Sequence, residues 1–550
     1  MRMRRPPRVL RSIVVPAMCA GWLLGAAGAV AQEAAGRTVT GLAPDVEARI
    51  DAWFHEAMDF IYRSEPSAAA RLADEMRAAA PGDPRAYLLQ ARILRLDVPD
   101  QNFEREDIKP DVVVIDSLLA LAVQGAERML AKDPKSVPGL LYRGWARMFE
   151  SQMRALASEY WGAGRKAKSG KRDLDALIEI DPDNPDARFV LGTYDYFADI
   201  LPGLVKVAGF LVRVPGGDLE RGIAGVRYAA QQNGYSRLDA RAILGVIYFG
   251  FEGRFDDARR TFDLVDKDYP NNARILEPLA VMDLFQPEHA LSGRTRTTFG
   301  VQHGVASPEP GIRNVAERLR LYQAMAELLT GDLEAARTSL EVLYANLPRQ
   351  PDWLGSATRL ALADLSLLLG DAARAARLHA DVAGDERAAR RLRYAVDAGG
   401  ASTPNEAARM LALRPAIQAL YAHDLGAFNR AFPPAGDGLD PYLEFYRGEF
   451  ELLRGTPQRA LAHYEHLTRE PLAPRWRLFR FFAFLRIAEI HGKRSHNEQA
   501  VQALEKALAF HTDPDLLRHV AKARKRFYES GQPQAAGSNG GLTRRSAAGG

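Results

Sequence analysis

The chain has 550 residues, 47% hydrophobic and 9% aromatic, with 73 Lys+Arg against 69 Asp+Glu. That balance excludes wholesale disorder, which needs low hydrophobicity and high net charge. One cysteine, Cys19, excludes a disulfide scaffold, and the length calls for several domains or a repeat array.

The chain opens with Arg2, Arg4, Arg5, Arg8 and Arg11 and no acid, followed by an apolar run from Ile13 to Val30 that closes on Ala29-Val30-Ala31. This is the pattern of a Sec-type signal peptide over residues 1–31, read either as cleaved or as a retained anchor. The expected location is a bacterial periplasm, peripheral to an envelope membrane or free of it. Without 1–31 the chain loses five arginines and its cysteine, leaving 68 basic against 69 acidic residues. No basic face for nucleic acid is expected, and thiolate zinc sites and thiol nucleophiles are excluded.

From residue 45 one spacing recurs. A small residue is followed twelve positions later by Ala, sixteen later by a bulky residue and twenty-four later by Pro. In chain order the copies are Trp53/Ala57/Phe60/Ala69/Pro81, then Gly245/Tyr248/Ala258/Phe262/Pro270 with one inserted residue in the turn. Ala324/Leu328/Gly331/Ala336/Leu340/Pro348 follows, then a weaker Ala363/Gly370/Ala375, then Gly448/Gly455/Ala460/Tyr464 and Ala488/Ala500/Leu504/Ala507. Residues four apart share a helix face. The small residue and the later Ala therefore mark where two antiparallel helices cross closely, and the bulky residue fills the groove beside them. Gly331, Gly370 and Gly455 stand where a helix ends in a left-handed cap. Between the first two copies the period breaks. Ala91 to Ala122 and Gly144 to Pro182 are lengthened, and Gly192–Gly222 is irregular, with an apolar run Leu204–Val214 too short to span a bilayer.

These sets resemble the tetratricopeptide repeat family over most of residues 45–528, and the Tyr194-x-Tyr196 and Pro215-Gly-Gly-Asp218 stretch is similar to a subgroup of exported bacterial members. The resemblance implies an all-α fold, an α-α superhelix of antiparallel helix pairs, with a concave surface for a protein or peptide partner. The expected organisation is a signal at 1–31, a helical array with insertions at 32–284, a loop or hinge at 285–312, a second array at 313–528 and a disordered tail at 529–550. The packing residues are Trp53, Ala57, Ala69, Gly245, Ala258, Ala324, Ala336, Leu340, Gly448, Ala460, Tyr464, Ala488, Ala500 and Leu504.

No phosphate-cradling Gly-Lys-Ser/Thr loop, nucleophile elbow or His-Glu-x-x-His is present, so neither an enzyme, a cofactor nor a metal is expected. His463 and His466 share a helix face but lack a carboxylate motif. Trp161, Tyr194, Tyr196 and Phe197 with Arg165 are the candidate binding residues, aromatics flanked by cations that suit a peptide with an acidic end. The same aromatics also suit the packing of the lengthened helices. The expected function is a non-enzymatic scaffold or adaptor. The alternative is a small-ligand or substrate-delivery protein with a closed apolar cavity near 194–214.

Overall fold

The structure, a computed structural model, describes residues 42–96, 109–157, 159–200, 216–270, 272–346, 352–383, 400–433, 440–469, 473–509 and 515–531. The leader, the run Leu204–Val214 and residues 532–550 lie outside them. Every regular element among the described residues is helical. Successive helices pack as pairs, and each pair packs on the next: α1 (Pro44–Tyr62) with α2 (Pro66–Ala79), α3 (Pro84–Arg95) with α4 (Lys109–Lys132), α5 (Val137–Leu156) with α6 (Tyr160–Ile180), and α7 (Pro185–Ile200) with α8 (Leu219–Gln231). The series continues through α9 (Arg237–Val246) and α10 (Phe255–Asp268), α11 (Ala273–Phe285) and α12 (Ala290–Ala306), α13 (Pro310–Leu329) and α14 (Leu333–Ala345), and α15 (Asp352–Leu368) and α16 (Ala372–Ala383). Shorter helices α17 (Pro404–Ala412), α18 (Arg414–Tyr421) and α19 (Leu425–Ala431) lead to α20 (Asp440–Leu453), α21 (Pro457–Arg469), α22 (Arg477–Lys493), α23 (Asn497–Ala509) and α24 (Asp515–Glu529). This is a tetratricopeptide-like solenoid.

The local rules are visible at each hairpin. Pro occupies the first turn of α1, α2 and α3, where its missing N–H leaves no bond unmade. The first helices end on a left-handed residue at one register: Ser64, Gly331, Gly370, His423, Gly455 and Ser495, with φ of 65°, 76°, 85°, 61°, 85° and 60°. Each lies seven residues after a small contact residue, Ala57, Ala324, Ala363, Ala416, Gly448 and Ala488 respectively. The next N–H returns to a carbonyl five residues back, as in Asp332 N to Glu327 O at 2.8 Å and Thr456 N to Glu451 O at 2.8 Å, closing the cap. The copy at Gly245 carries one extra residue. The helix absorbs it as a π turn over Ile247–Phe251, after which Gly253 supplies the left-handed φ.

The crossings are as tight as the spacing implies. A Cβ on Gly448 would sit 2.5 Å from the Tyr464 ring, and one on Gly245 would sit 2.6 Å from the Phe262 ring. Ala57, Ala69, Ala258, Ala336, Ala460, Ala488 and Ala500 are fully buried, as are Tyr464 and Leu504; Ala324 and Leu340 are buried at 2% exposure, and Trp53 is half-buried at the rim.

Residues 285–312, expected to be a loop, are mostly helix: a 3₁₀ turn at Pro287–His289, then α12 and the start of α13. The Gly and Thr content that suggested a hinge has a packing cause. Gly293 meets the Asp283 side chain, Gly300 meets Leu276 and Leu319, and Gly304 meets Ala316, each within 2.6 Å of where a Cβ would stand. α12 is wedged between neighbours, so small residues are required on its inner side.

The array also closes on itself at two seams. At the first, the Tyr62 hydroxyl of α1 donates to Asp239 Oδ1 of α9 at 2.7 Å, and Arg92 of α3 reaches the same oxygen at 2.7 Å. Asn272 donates to the Tyr62 carbonyl at 3.1 Å, and Arg274 to the Leu96 carbonyl beyond α3 at 2.6 Å. At the second, Arg486 of α22 donates to the Leu284 carbonyl in the last turn of α11 at 2.8 Å, and Arg524 of α24 to the Gly253 carbonyl at 2.6 Å. Tyr446 of α20 donates to the Leu329 carbonyl at 3.0 Å. Carbonyls at and just beyond helix ends have no intrahelical donor, and distant side chains supply one. The segment from α9 to α11 thus forms a wall shared by both seams.

Candidate partner-binding ridge

On α1, α20 and α22 the side chains that would face an open concave groove are engaged by the chain itself. Phe54 of α1 packs on Tyr235 with ring centroids 4.9 Å apart, Tyr62 binds Asp239, and Tyr446 and Arg486 bind carbonyls of α13 and α11. A small cavity lies at the first seam, lined by Ile61, Arg92, Val246, Phe262, Asn272 and Ile312 among others. It lies away from the 194–214 stretch, and residues 201–215 of that stretch are outside the described residues.

Free surface chemistry is found on α6 instead. Its buried residues are Ala163, Ala167, Gly170, Asp173, Leu174 and Leu177. Five of these recur every three or four residues and lie against α5, where Gly144 and Gly170 let the two backbones touch. A half-turn round the helix, Trp161, Arg165, Lys168, Arg172 and Glu179 are exposed, Trp161 by 53%. At 1.5 Å rise per residue the ridge from 161 to 172 is about 16 Å long.

The charges on and beside this ridge divide into two sets. Lys166 pairs with Glu150 at 2.7 Å and Lys171 with Asp175 at 2.7 Å. Arg143 and Arg147 of α5 both bind the buried Asp173 at 2.8 Å, and Arg154 links Asp116 to Glu159 at 2.6 and 3.1 Å. Burial raises the Asp116 carboxyl above its usual range even with Arg154 beside it. Arg165, Lys168 and Arg172 make no ion pair with a described residue.

The structure separates the candidate aromatics. Tyr196 is fully buried and donates to Glu252 Oε1 at 2.6 Å. Phe197 and Phe251 pack edge-on with it at 5.0 and 6.2 Å, beside the π turn. Tyr194 is half-buried, and its hydroxyl is raised by burial and then by Asp195 and Asp175. Asp175 is fourteen residues along α6 from Trp161, about 21 Å by helical rise. Tyr196 and Phe197 thus pack on the π turn and Tyr194 lies half-buried near Asp175, while Trp161 and Arg165 stand together on the outside. Lys168 and Arg172 complete that face, and their spacing from Trp161 of seven and eleven residues is the sequence signal for it.

The His463 Nδ1–H donates to Glu444 Oε2 at 2.7 Å, and His466 lies 3.9 Å from the same carboxylate. Glu444 is lowered despite partial burial, because His463 and Arg447 bond to it. No group of three or more metal-capable side chains gathers among the described residues. No described helix is long and apolar enough to cross a membrane.

No family model and no curated protein matches the chain. Among solved structures, the human IFIT1 dimer with PPP-AAAA aligns over 89% of this chain and 93% of that one, at 13% identity and a TM-score of 0.27. The APC/C hetero-tetramer Cut9-Hcn1 aligns over 88% and 96%, at 11% identity and a TM-score of 0.23. The helical-repeat description rests on the geometry above.

Proposed function

We propose that the chain is a non-enzymatic scaffold that binds a protein or peptide partner on its outer surface, after export to a periplasm under the signal at 1–31. The observation that carries this is the α6 ridge: an exposed tryptophan in line with three cations that have no described ion-pair partner. Exposed aromatic and Arg side chains are the usual anchors of protein interfaces. On α1, α20 and α22 the faces that would offer an inner groove are engaged at the two seams. The location draws on the Arg-rich, apolar, small-residue leader.

The test is site-specific photo-crosslinking in the full chain. A photoreactive residue is placed in turn at the exposed positions 165, 121, 264 and 299, each on a different outer helix. The expected result is a discrete protein adduct in the envelope fraction from at least one position. No protein adduct from any of the four would overturn the scaffold reading.

A further inference from the structure

We propose that the α6 ridge takes an acidic peptide segment in one fixed register. An apolar partner side chain lies on Trp161, acidic side chains lie over Arg165, Lys168 and Arg172, and a basic side chain lies beyond them. This deepens the scaffold reading and rests on it.

The register follows from what bounds the ridge. The three cations form a single file on one helix face, spaced three and four residues apart. That matches acidic residues at the same spacing on a partner helix, or alternate residues of an extended segment. Carboxylates close both ends. Glu159 stands before Trp161, paired with Arg154, and Asp175 stands after Arg172, paired with Lys171, both side chains nearly half exposed. Glu179, exposed and in no ion pair with a described residue, carries the acidic end.

A uniformly anionic surface, such as a bilayer rich in acidic lipid, would meet repulsion at Glu179, which lies on the same helix face beyond Arg172. It would also find only one exposed aromatic on α6, because the apolar face of the helix is buried against α5. A short segment whose charge changes sign with the ridge meets neither obstacle. The pattern therefore favours a partner of finite length over a membrane plane. Neighbouring lysines do not blur the pattern, since Lys166 and Lys171 are already neutralised by Glu150 and Asp175.

The experiment uses the full chain and two fluorescein-labelled synthetic peptides of identical composition. One is ordered apolar, acidic, acidic, acidic, basic at helical spacing; the other is alternated by moving the basic residue between the acids. Fluorescence anisotropy is expected to show the ordered peptide binding about tenfold or more tightly than the alternated one, and more weakly as salt rises. Trp161→Ala should weaken it about tenfold or more, and Arg172→Gln by about two- to fivefold. The triple variant Arg165→Glu, Lys168→Glu, Arg172→Glu should abolish binding while its circular dichroism melt matches the parent, because all three side chains are exposed.

Equal binding of the two peptides, binding of neither, or binding untouched by the triple variant would overturn the proposal. So would tight association with phosphatidylglycerol vesicles that the triple variant loses. Should crosslinks form at 121, 264 or 299 while the peptides fail, the ridge assignment falls and the scaffold reading stands.

Discussion

The two seams close the same kind of chain by different chemistry. At the second seam the buried charges are saturated. Glu449 accepts from Tyr464 and Arg486 on Oε1 at 2.7 and 2.8 Å and from Tyr421 on Oε2 at 2.8 Å. Glu489 is clasped by both arms of Arg524 at 2.7 Å and by Tyr528 at 3.1 Å. At the first seam Asp239 takes Tyr62 and Arg92 on one oxygen, while its Oδ2 and the Arg92 Nε are buried without a partner. Burial raises Asp239 to about 6. A fully connected polar network holds one arrangement firmly, whereas a partly connected one carries an unmet desolvation cost. The first seam should therefore be the one that opens at lower free energy.

The comparison would break most visibly through the second seam. Glu449→Ala leaves Arg486 buried with two tyrosines and a carbonyl but no countercharge, and should cost about 3–5 kcal/mol in urea unfolding. Replacing Glu449 and Arg486 together by Leu and Met should recover much of that loss, since the penalty lies in the unpaired charge. If both versions unfold at the same urea concentration, saturation of the network is not what holds this seam. Overpacking the hairpin crossing is next. Gly448→Ala drives a methyl to 2.5 Å from the Tyr464 ring and should cost about 1–3 kcal/mol, with Ala336→Trp and Ala460→Trp larger on the same principle.

At the first seam Asp239→Asn, which keeps an acceptor for Tyr62 and Arg92, should cost about 1–3 kcal/mol and, unlike Glu449→Ala, should raise hydrogen exchange in α1 and α3 before it changes α20 and α22. The seam also has a pH signature. Asp239 and Asp186, the latter bound by the Ser236 N–H and hydroxyl, are both raised by burial to about 6 from 3.8. A carboxyl with a higher pKa folded than unfolded binds its proton more tightly in the folded state. Its stabilising contribution is full below about 3.8 and disappears as pH rises through about 6. Exchange protection across α1 and α9, corrected for intrinsic rates, should fall between about pH 4 and 6 and level off above that, and Asp239→Asn should remove the Asp239 share of that dependence. The smallest effect is expected at the caps. Ser64→Gly and Ser495→Gly relieve a left-handed backbone in a residue with a Cβ and should stabilise by up to about 1 kcal/mol, read as a small rise in the melting midpoint.

Local geometry was legible in the sequence and global closure was not. Ala57, Ala336 and Ala460 announce a tight crossing because their spacing and their size both follow from two helices touching. Gly331, Gly370 and Gly455 announce a left-handed cap for the same local reason, and Ser64, His423 and Ser495 hold that conformation without the glycine that would signal it. The seams join residues 117 to 271 positions apart, and no periodicity encodes which buried side chain meets which carbonyl. The hinge expected at 285–312 failed because small residues signal a turn and a crowded helix alike. On α6 the aromatics and cations were visible, but which faced outward was settled by the Ala, Gly and Leu stripe that α5 buries.

The shared wall sets an order of events for a chain made from its N-terminus. Tyr62 and Arg92 emerge well before Asp239, so the first coil has hairpins it cannot yet lock. The carbonyls of Gly253 and Leu284 wait longer still, until Arg524 and Arg486 emerge. Release of the C-terminal helices, rather than the making of any single hairpin, is the moment at which the whole molecule tightens.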